Sequence, residues 1–131
     1  MIPPQELRIG NYVLWQGKIV EVISIMPRWA CVRDDDVTFS RSYEEFQPVP
    51  ITEERLDEFG FVRRGEFYSL WVMSLWVMAG LLFYCAPGKR LFIEVFAFGN
   101  SIRFDVNTQY VHQLQNLYYD FRGEEIKRKQ P

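Results

Sequence analysis

The chain has 131 residues, of which 48% are hydrophobic and 17% aromatic, and its formal net charge is −2 at pH 7. This hydrophobic content suffices for a packed interior, which excludes a globally disordered chain. The near-neutral charge excludes a general electrostatic attraction to nucleic acid or anionic lipid. We expect a single α+β domain over residues 1–131, within which residues 1–47 and 51–126 can form two lobes.

The cysteines and residues 1–6 indicate the cellular compartment of the protein. Cys31 and Cys85 lie far apart in apolar segments, which favours free thiols in a reducing environment over a disulfide. Residues 1–6 have neither a basic start nor an apolar core, so we expect no signal peptide there. Together these observations predict a cytoplasmic protein.

The first lobe is predicted to contain four short β-strands, at residues 11–15, 18–25, 29–33 and 37–39. Gln16-Gly17 lies between the first two, and the glycine supplies the positive φ that a tight hairpin turn requires. Several short strands joined by turns suggest a small, strongly bent antiparallel sheet of the SH3-like kind. This is an analogy of architecture and carries no function.

Three consecutive aspartates, Asp34, Asp35 and Asp36, separate the last two of these strands. Clustered carboxylates suit Ca²⁺ or Mg²⁺. The segment lacks the spaced ligands and the internal glycine of a calcium loop, whereas aspartate strongly favours turns. We therefore interpret the three aspartates as a solvated turn and predict no metal site.

A short stiff connector, Pro48-Val49-Pro50, precedes a predicted helix at residues 52–59. Thr52 is a good N-cap, and the glutamates that follow it put negative charge in the first turn. Gly60 can end the helix. This helix is expected to pack against the rest of the domain and implies no chemistry.

Residues 67–86 form a run of twenty residues without a charged side chain. The run is about as long as a membrane-spanning helix requires, and basic and aromatic residues flank it as they flank a span. Its content of Trp, Val, Phe, Tyr and Met favours strands, and its repeat SLWVM-SLWVM fits no helical face. We predict strands, and a single membrane span through residues 67–86 is the alternative, since periodicity does not decide short apolar runs.

The whole region then reads as an antiparallel β-meander with strands at residues 66–73, 75–84, 91–98 and 101–106. Pro87-Gly88 and Gly99-Asn100 are the turn signals between the later strands. The meander explains all of these segments with one structure.

The last predicted element is an amphipathic helix that begins after Asn107 or Thr108 and ends at Gly123. Its apolar side chains recur at helical spacing and are expected to pack on the sheet; they are Val111, Leu114, Leu117, Tyr118 and Phe121. The predicted fold class is therefore α+β: a small bent N-terminal antiparallel sheet, a short helix, an antiparallel β-meander and a C-terminal helix packed on the sheet.

A second row of the same helix is polar and consists of His112, Gln115, Asn116 and Tyr119. Four hydrogen-bonding side chains in one row can bind a ligand or a protein partner. The same row can also be an ordinary solvated face, or it can satisfy the backbone of a loop. The sequence favours the latter two interpretations and leaves ligand or partner binding open.

The sequence of this helix also carries a resemblance. YVHQLQNLY at residues 110–118, followed by GEE at residues 123–125, resembles the ending of a family of short, uncharacterised bacterial and bacteriophage proteins. Residues 6–13 and 49–61 are similar to the beginning and the middle of the same family, whereas residues 71–98 depart from it. The resemblance implies membership of that family and an origin in a phage or other mobile element, and it implies no activity.

The signals for catalysis are weak. The single histidine, His112, would need carboxylate or cysteine partners to form a metal site, and the spacing suggests none. The chain lacks a phosphate-binding glycine loop. The paired carboxylates Glu44-Glu45 and Glu53-Glu54 are adjacent residues that point in different directions. We predict no catalytic residue, no metal site and no cofactor.

Two binding functions remain. The first is a non-catalytic protein-interaction module that binds or occludes a protein partner or self-associates, with Trp71 and Trp76 on surplus apolar strand surface. The second is a small-ligand or nucleotide binder in which aromatic rings stack a base while Arg63 and Arg64 hold phosphate. The basic residues form no long patch, which argues against a double-stranded nucleic-acid partner. The prediction of strands at residues 67–86 argues against a membrane partner. A membrane partner belongs to the alternative interpretation of these residues as a span.

Overall fold

The structure is a computed structural model that describes residues 2–64, 67–73, 79–85, 91–97, 100–106 and 108–126. The chain divides into two compact units. The first consists of Met1–Pro50 with Tyr110–Leu117, and the second consists of Ile51–Gln109 with Tyr118–Pro131. Both units contain an antiparallel sheet, and the described residues also form two α-helices, so the fold class is α+β as predicted.

The first unit contains a five-stranded antiparallel sheet with the strands β1 (Tyr12–Trp15), β2 (Lys18–Ile25), β3 (Trp29–Asp34), β4 (Val37–Ser42) and β5 (Phe46–Pro48). The strand order is β4-β3-β2-β1-β5, so the last strand returns to pair with the first. The four strands predicted from the sequence are confirmed. The fifth was missed because it has three residues and ends at a proline, which is typical of a break or of an edge strand.

Local backbone chemistry sets the two predicted turns of this sheet. Gln16 and Gly17 both have positive φ, +49° and +79°, which is the conformation of the hairpin turn that matches strand twist. Asp35 has φ +53° and lies in the β3–β4 turn, where Asp34 pairs with Val37. Asp35 and Asp36 therefore form a turn, as predicted, and Asp34 ends β3.

The core of the first unit is formed by side chains from the strands and from the start of the chain. Ile2 and Leu7 belong to it, although they lie outside the sheet, on either side of a short 3₁₀ helix at Pro4–Glu6. Burial of each such aliphatic side chain contributes about 1.5–3 kcal/mol. Apolar packing therefore holds the N-terminal residues against the sheet. This packing also fixes the position of the polar residues that lie between Leu7 and β1.

The second unit begins with α1 (Glu53–Glu58). The hydroxyl of Thr52 accepts a hydrogen bond from the backbone N–H of Arg55 over 3.3 Å, as an N-cap should. Gly60 follows the helix with φ +88°, a conformation that glycine adopts without strain. The predicted start and end of this helix are confirmed.

The sheet of the second unit has the strands β6 (Val62–Arg64), β7 (Phe67–Met73), β8 (Ala79–Cys85), β9 (Leu91–Ala97) and β10 (Asn100–Val106). They follow each other in space in chain order, and every neighbouring pair is antiparallel. The predicted meander is confirmed. The strand β6 was not predicted, because three residues are too few for an alternating pattern.

The described parts of the long uncharged run are strands. Tyr68 pairs with Cys85 and Met73 pairs with Gly80 in antiparallel register, so a single continuous helix through residues 67–86 is wrong. Residues 74–78, which include Trp76, lie outside the described residues. Among the helices that the structure describes, none has the length and hydropathy required to cross a membrane.

The terminal helix is α2 (Val111–Arg122), and Gly123 follows it with φ +75°. Its predicted apolar row divides between the two units. Val111 and Leu114 belong to the first unit and are buried. Tyr118 belongs to the second unit, where its ring lies 6.0 Å from that of Phe83 in β8. The prediction that the helix packs on the meander is thus confirmed for Tyr118.

Candidate functional site

A polar cluster joins the N-terminal segment (residues 6–12) to the first turns of α2 within the first unit. It consists of Glu6, Arg8, Asn11, His112, Gln115 and Asn116. The helical spacing of three and four residues places the last three on the same side of α2.

The start of α2 is fixed to the end of the first sheet. The backbone N–H of Val111 donates to the carbonyl of Val49 over 2.8 Å, and Tyr110 forms an antiparallel bridge with Pro50. The side chain of Gln113 accepts a hydrogen bond from the N–H of Tyr110 over 3.3 Å, which satisfies a donor just before the helix. These contacts determine which way the polar row points.

Gln115 uses both ends of its amide on the backbone of the N-terminal segment. Its Oε1 accepts from the N–H of Tyr12 over 2.8 Å, and its Nε2 donates to the carbonyl of Gly10 over 2.9 Å. The residue is only 1% exposed. A buried primary amide must find both an acceptor and a donor, and this geometry provides one of each.

Asn116 lies beside it and makes three contacts. Its Nδ2 donates to the carbonyl of Glu6 over 2.7 Å. Its Oδ1 accepts from Asn11 Nδ2 at 2.9 Å and from Arg8 Nε at 3.2 Å. Arg8 also donates through Nη2 to the carbonyl of Gln115 over 3.3 Å. The guanidinium therefore ties the N-terminal segment to both the side-chain row and the backbone of α2.

His112 is 2% exposed, and its Nε2 lies 3.3 Å from Glu6 Oε1. An ionised carboxylate only accepts, so Nε2 carries the hydrogen in this contact. His112 Nδ1 is buried and has no hydrogen-bond partner among the described residues. The ring of Tyr110 stacks on the imidazole, with a centroid distance of 6.1 Å and an interplanar angle of 10°.

The pKa of His112 is lowered from its ordinary value of 6.5. Burial is the main cause, because it disfavours the charged imidazolium. The hydrogen bond and the negative charge of Glu6 act in the opposite direction but are weaker. His112 is therefore neutral at pH 7.

These contacts distinguish between two interpretations of the polar row, namely an ordinary solvated face and a row that satisfies the backbone of a loop. A solvated face is wrong for His112 and Gln115, because both are buried by the N-terminal segment. Gln115 and Asn116 satisfy the backbone of a loop, as the third interpretation expected. Tyr119 is 40% exposed and lies in the second unit. Ligand or partner binding by this row stays a prediction.

The other predicted site residues lie in the second unit. Arg63 and Arg64 are in β6, opposite Tyr68 and Phe67 of β7, and Arg63 is exposed. Trp71 is in β7, opposite Leu82 of β8. The strand register thus places these residues on adjacent strands. That they bind phosphate or a base stays a prediction.

A second feature, which was not predicted from the sequence, is the hairpin tip (residues 25–29) between β2 and β3. All five residues are exposed, and three of them are large apolar side chains: Ile25 at 36%, Met26 at 46% and Trp29 at 50%. The available signal was the Met26-Pro27-Arg28-Trp29 sequence, in which a turn-forming proline stands between large apolar residues.

The backbone of the hairpin tip is held on both sides. The N–H of Met26 donates to the carbonyl of Trp29 over 2.9 Å, which closes the turn. The hydroxyl of Tyr43 donates to the carbonyl of Met26. Tyr43 is itself buried in the core of the first unit. The exposed apolar side chains therefore project from a fixed loop.

The described residues contain no group of three or more His, Cys, Asp or Glu side chains arranged to hold a metal ion. Within the same residues, Cys31 is a free and half-buried thiol. The polar cluster and the hairpin tip are accordingly the two features on which a function can be argued.

No protein-family model, no curated protein and no solved structure matches this chain. The resemblance of residues 110–118 to the ending of short bacterial and phage proteins therefore stays a prediction, and so does a mobile-element origin.

Proposed function

We propose that this chain is a non-catalytic protein-binding module and that it contacts a partner protein through the hairpin tip. The observation that carries the proposal is the exposure of Met26 and Trp29, about half of each side chain, next to exposed Ile25 and Arg28. The partner offers an apolar pocket that receives Trp29.

The composition of the tip supports a protein partner. Single exposed apolar residues are normal on any protein surface, but here three of them lie within five consecutive residues. Tryptophan, methionine and arginine are enriched in interface cores. Tryptophan and arginine also dominate among the residues whose truncation costs the most binding energy.

The fixed backbone supports the same function. Ordering a flexible loop on binding costs free energy that the contacts must first offset. The hydrogen bond of Met26 to Trp29 and that of Tyr43 to Met26 hold the loop before any partner arrives. A tip that is rigid in the free protein retains more of its contact energy as affinity.

The polar cluster supports the non-catalytic part of the proposal. The side chains of Gln115 and Asn116 bond to the chain's own N-terminal segment. Glu6 and His112 contact each other across the same junction. Their arrangement favours a structural role over a chemical one.

The test compares the wild type with a double variant, Met26→Ser with Trp29→Ser. The matched control is Val37→Ser, which replaces an even more exposed apolar residue at the start of β4. Each protein serves as bait in a quantitative capture from the cells that produce the chain, with mass-spectrometric readout. We expect a partner that the wild type and Val37→Ser retain equally and that the double variant loses at least about tenfold, which is about 1.4 kcal/mol.

Equal recovery of every captured protein by all three baits would overturn the proposal. Sedimentation equilibrium of the same three proteins over a wide concentration range distinguishes self-association from a foreign partner. A mass that rises with concentration for the wild type and Val37→Ser but not for the double variant identifies a second copy of this chain as the partner.

A further inference from the structure

We infer that the burial of His112, whose Nδ1 has no hydrogen-bond partner among the described residues, makes the junction between the N-terminal segment and α2 responsive to pH. The segment is held more tightly while His112 is neutral than after His112 has taken up a proton. This inference is independent of the proposed function, because it rests on the polar cluster and not on the hairpin tip.

The hydrogen-bonding state of the His112 ring determines how it responds to a proton. Glu6 Oε1 accepts from His112 Nε2 over 3.3 Å, so the neutral ring has its single hydrogen on that atom. Nδ1 then needs no acceptor. It is buried and has no partner among the described residues. A neutral imidazole tolerates this state, because Nδ1 then carries no hydrogen and only an acceptor is left without a partner.

Protonation changes this balance. It adds an N–H at Nδ1, where the described surroundings provide no acceptor, and it places a positive charge on a ring that is 2% exposed. A buried donor without an acceptor is destabilising, and a charged one is more so. In the released segment the same ring is solvated and binds a proton without this penalty.

The charged and titratable neighbours do not remove the penalty. Glu6, on the 3₁₀ helix, attracts the imidazolium, but its side chain is 40% exposed to water, and it also accepts from Gln113 Nε2 at 3.4 Å. Arg8 of the N-terminal segment contacts the same part of α2 through Gln115 and Asn116 and adds positive charge. Tyr110 stacks on the ring and provides no hydrogen-bond partner for Nδ1.

The direction of the pH dependence follows from burial. The pKa of His112 is lower in the held state than its ordinary value of 6.5, so the held state binds a proton more weakly than the released state does. The free energy that holds the segment is therefore constant above about pH 7.5. It falls as the pH drops through 6.5 and stops falling once His112 is protonated in the held state as well.

Release has a structural consequence beyond the hydrogen bonds. Leu7 lies within the N-terminal segment, and its side chain is buried in the core of the first unit. Acidification is therefore expected to raise the fraction of molecules that expose apolar surface next to β1.

The experiment uses hydrogen exchange of the Tyr12 amide, which donates to Gln115 across the junction. Exchange is followed by NMR from pH 7.5 to pH 5.5, with correction for the intrinsic rate. The chain has one histidine, so its ring signals report His112 without ambiguity in the same samples. We expect the protection of Tyr12 to fall by about three- to tenfold, the upper figure being the limit for one group titrating near 6.5, while amides of β3 keep their protection.

The variant His112→Gln keeps a donor toward Glu6 but does not titrate, and its Tyr12 protection is expected to be independent of pH over this range. An equal fall in His112→Gln and in the wild type would overturn the inference. If this variant does not fold, the wild type decides alone. Its loss of Tyr12 protection has to follow the titration of the His112 ring, and constant protection or a fall unrelated to that titration contradicts a histidine-controlled junction.

Discussion

Gln115 accepts a hydrogen bond at its side-chain oxygen from the backbone N–H of Tyr12 over 2.8 Å, although 103 positions separate the two residues in the chain. The contact connects the terminal helix to the first residue of β1. It belongs to the first unit, which contains two segments of the chain that are far apart in sequence.

Replacement of Gln115 by methionine, which has a similar volume, is expected to lower the free energy of unfolding by about 2–4 kcal/mol. The physical reason is that the Tyr12 N–H and the Gly10 carbonyl both lose their side-chain partner, the buried amide of Gln115, in a partly buried position. Urea unfolding followed by tryptophan fluorescence measures the change. The control is Gln47→Met at an exposed position of β5, and equal effects of the two substitutions would contradict the role of Gln115.

Replacement of Tyr43 by phenylalanine tests whether the hairpin tip is held from the core. The substitution removes the hydroxyl that donates to the carbonyl of Met26 and keeps the ring in the core. We expect a loss of about 1 kcal/mol in the free energy of unfolding and larger amplitudes of motion for the Met26 and Trp29 amides in NMR relaxation. Unchanged order parameters at both amides would show that the loop is fixed without Tyr43.

The charge of Glu6 is expected to support protonation of His112. The carboxylate raises the pKa of His112 against the larger effect of burial, so Glu6→Gln should lower this pKa further. An NMR titration of the single histidine measures it directly. Glu44→Gln, at an exposed position in the Tyr43–Glu45 3₁₀ helix, should leave the pKa unchanged. A higher pKa of His112 in Glu6→Gln would mean that the negative charge of Glu6 does not favour protonation of His112.

The second unit offers a test of its N-cap. Thr52→Ala removes the hydroxyl that accepts from the Arg55 N–H at the start of α1, and it is expected to destabilise this unit by about 0.5–2 kcal/mol. Thermal unfolding measures the effect. Thr52→Ser keeps a hydroxyl at the same place and should recover most of the lost stability, and a failure to recover it would point to the methyl group instead.

The elements that the sequence predicts are those with local causes. The φ values of Gln16 and Gly17 follow from turn chemistry within the hairpin, and the helix start at Thr52 follows from a cap three residues from its donor. Alternation and composition within single segments sufficed for the longer strands of both sheets. Each of these features needs information from only a few neighbouring residues.

The features that the sequence does not reveal depend on distant residues. His112 and Gln115 look like members of a solvated row, because the segment that buries them lies more than 100 positions away. The strands β5 and β6 have three residues each and exist through their pairing with β1 and β7. The exposure of the hairpin tip could not be predicted, because the local sequence does not determine whether Trp29 faces the core or water.

The discontinuous first unit has a consequence for synthesis of the chain. Met1–Pro50 leaves the ribosome well before Tyr110–Leu117, the other part of the same unit. At about 5–20 residues per second, translation of the intervening residues takes about 3–12 s. Throughout that interval the Gly10 carbonyl and the Tyr12 N–H lack their partner Gln115, so the first unit is complete only after Tyr110–Leu117 has been synthesised.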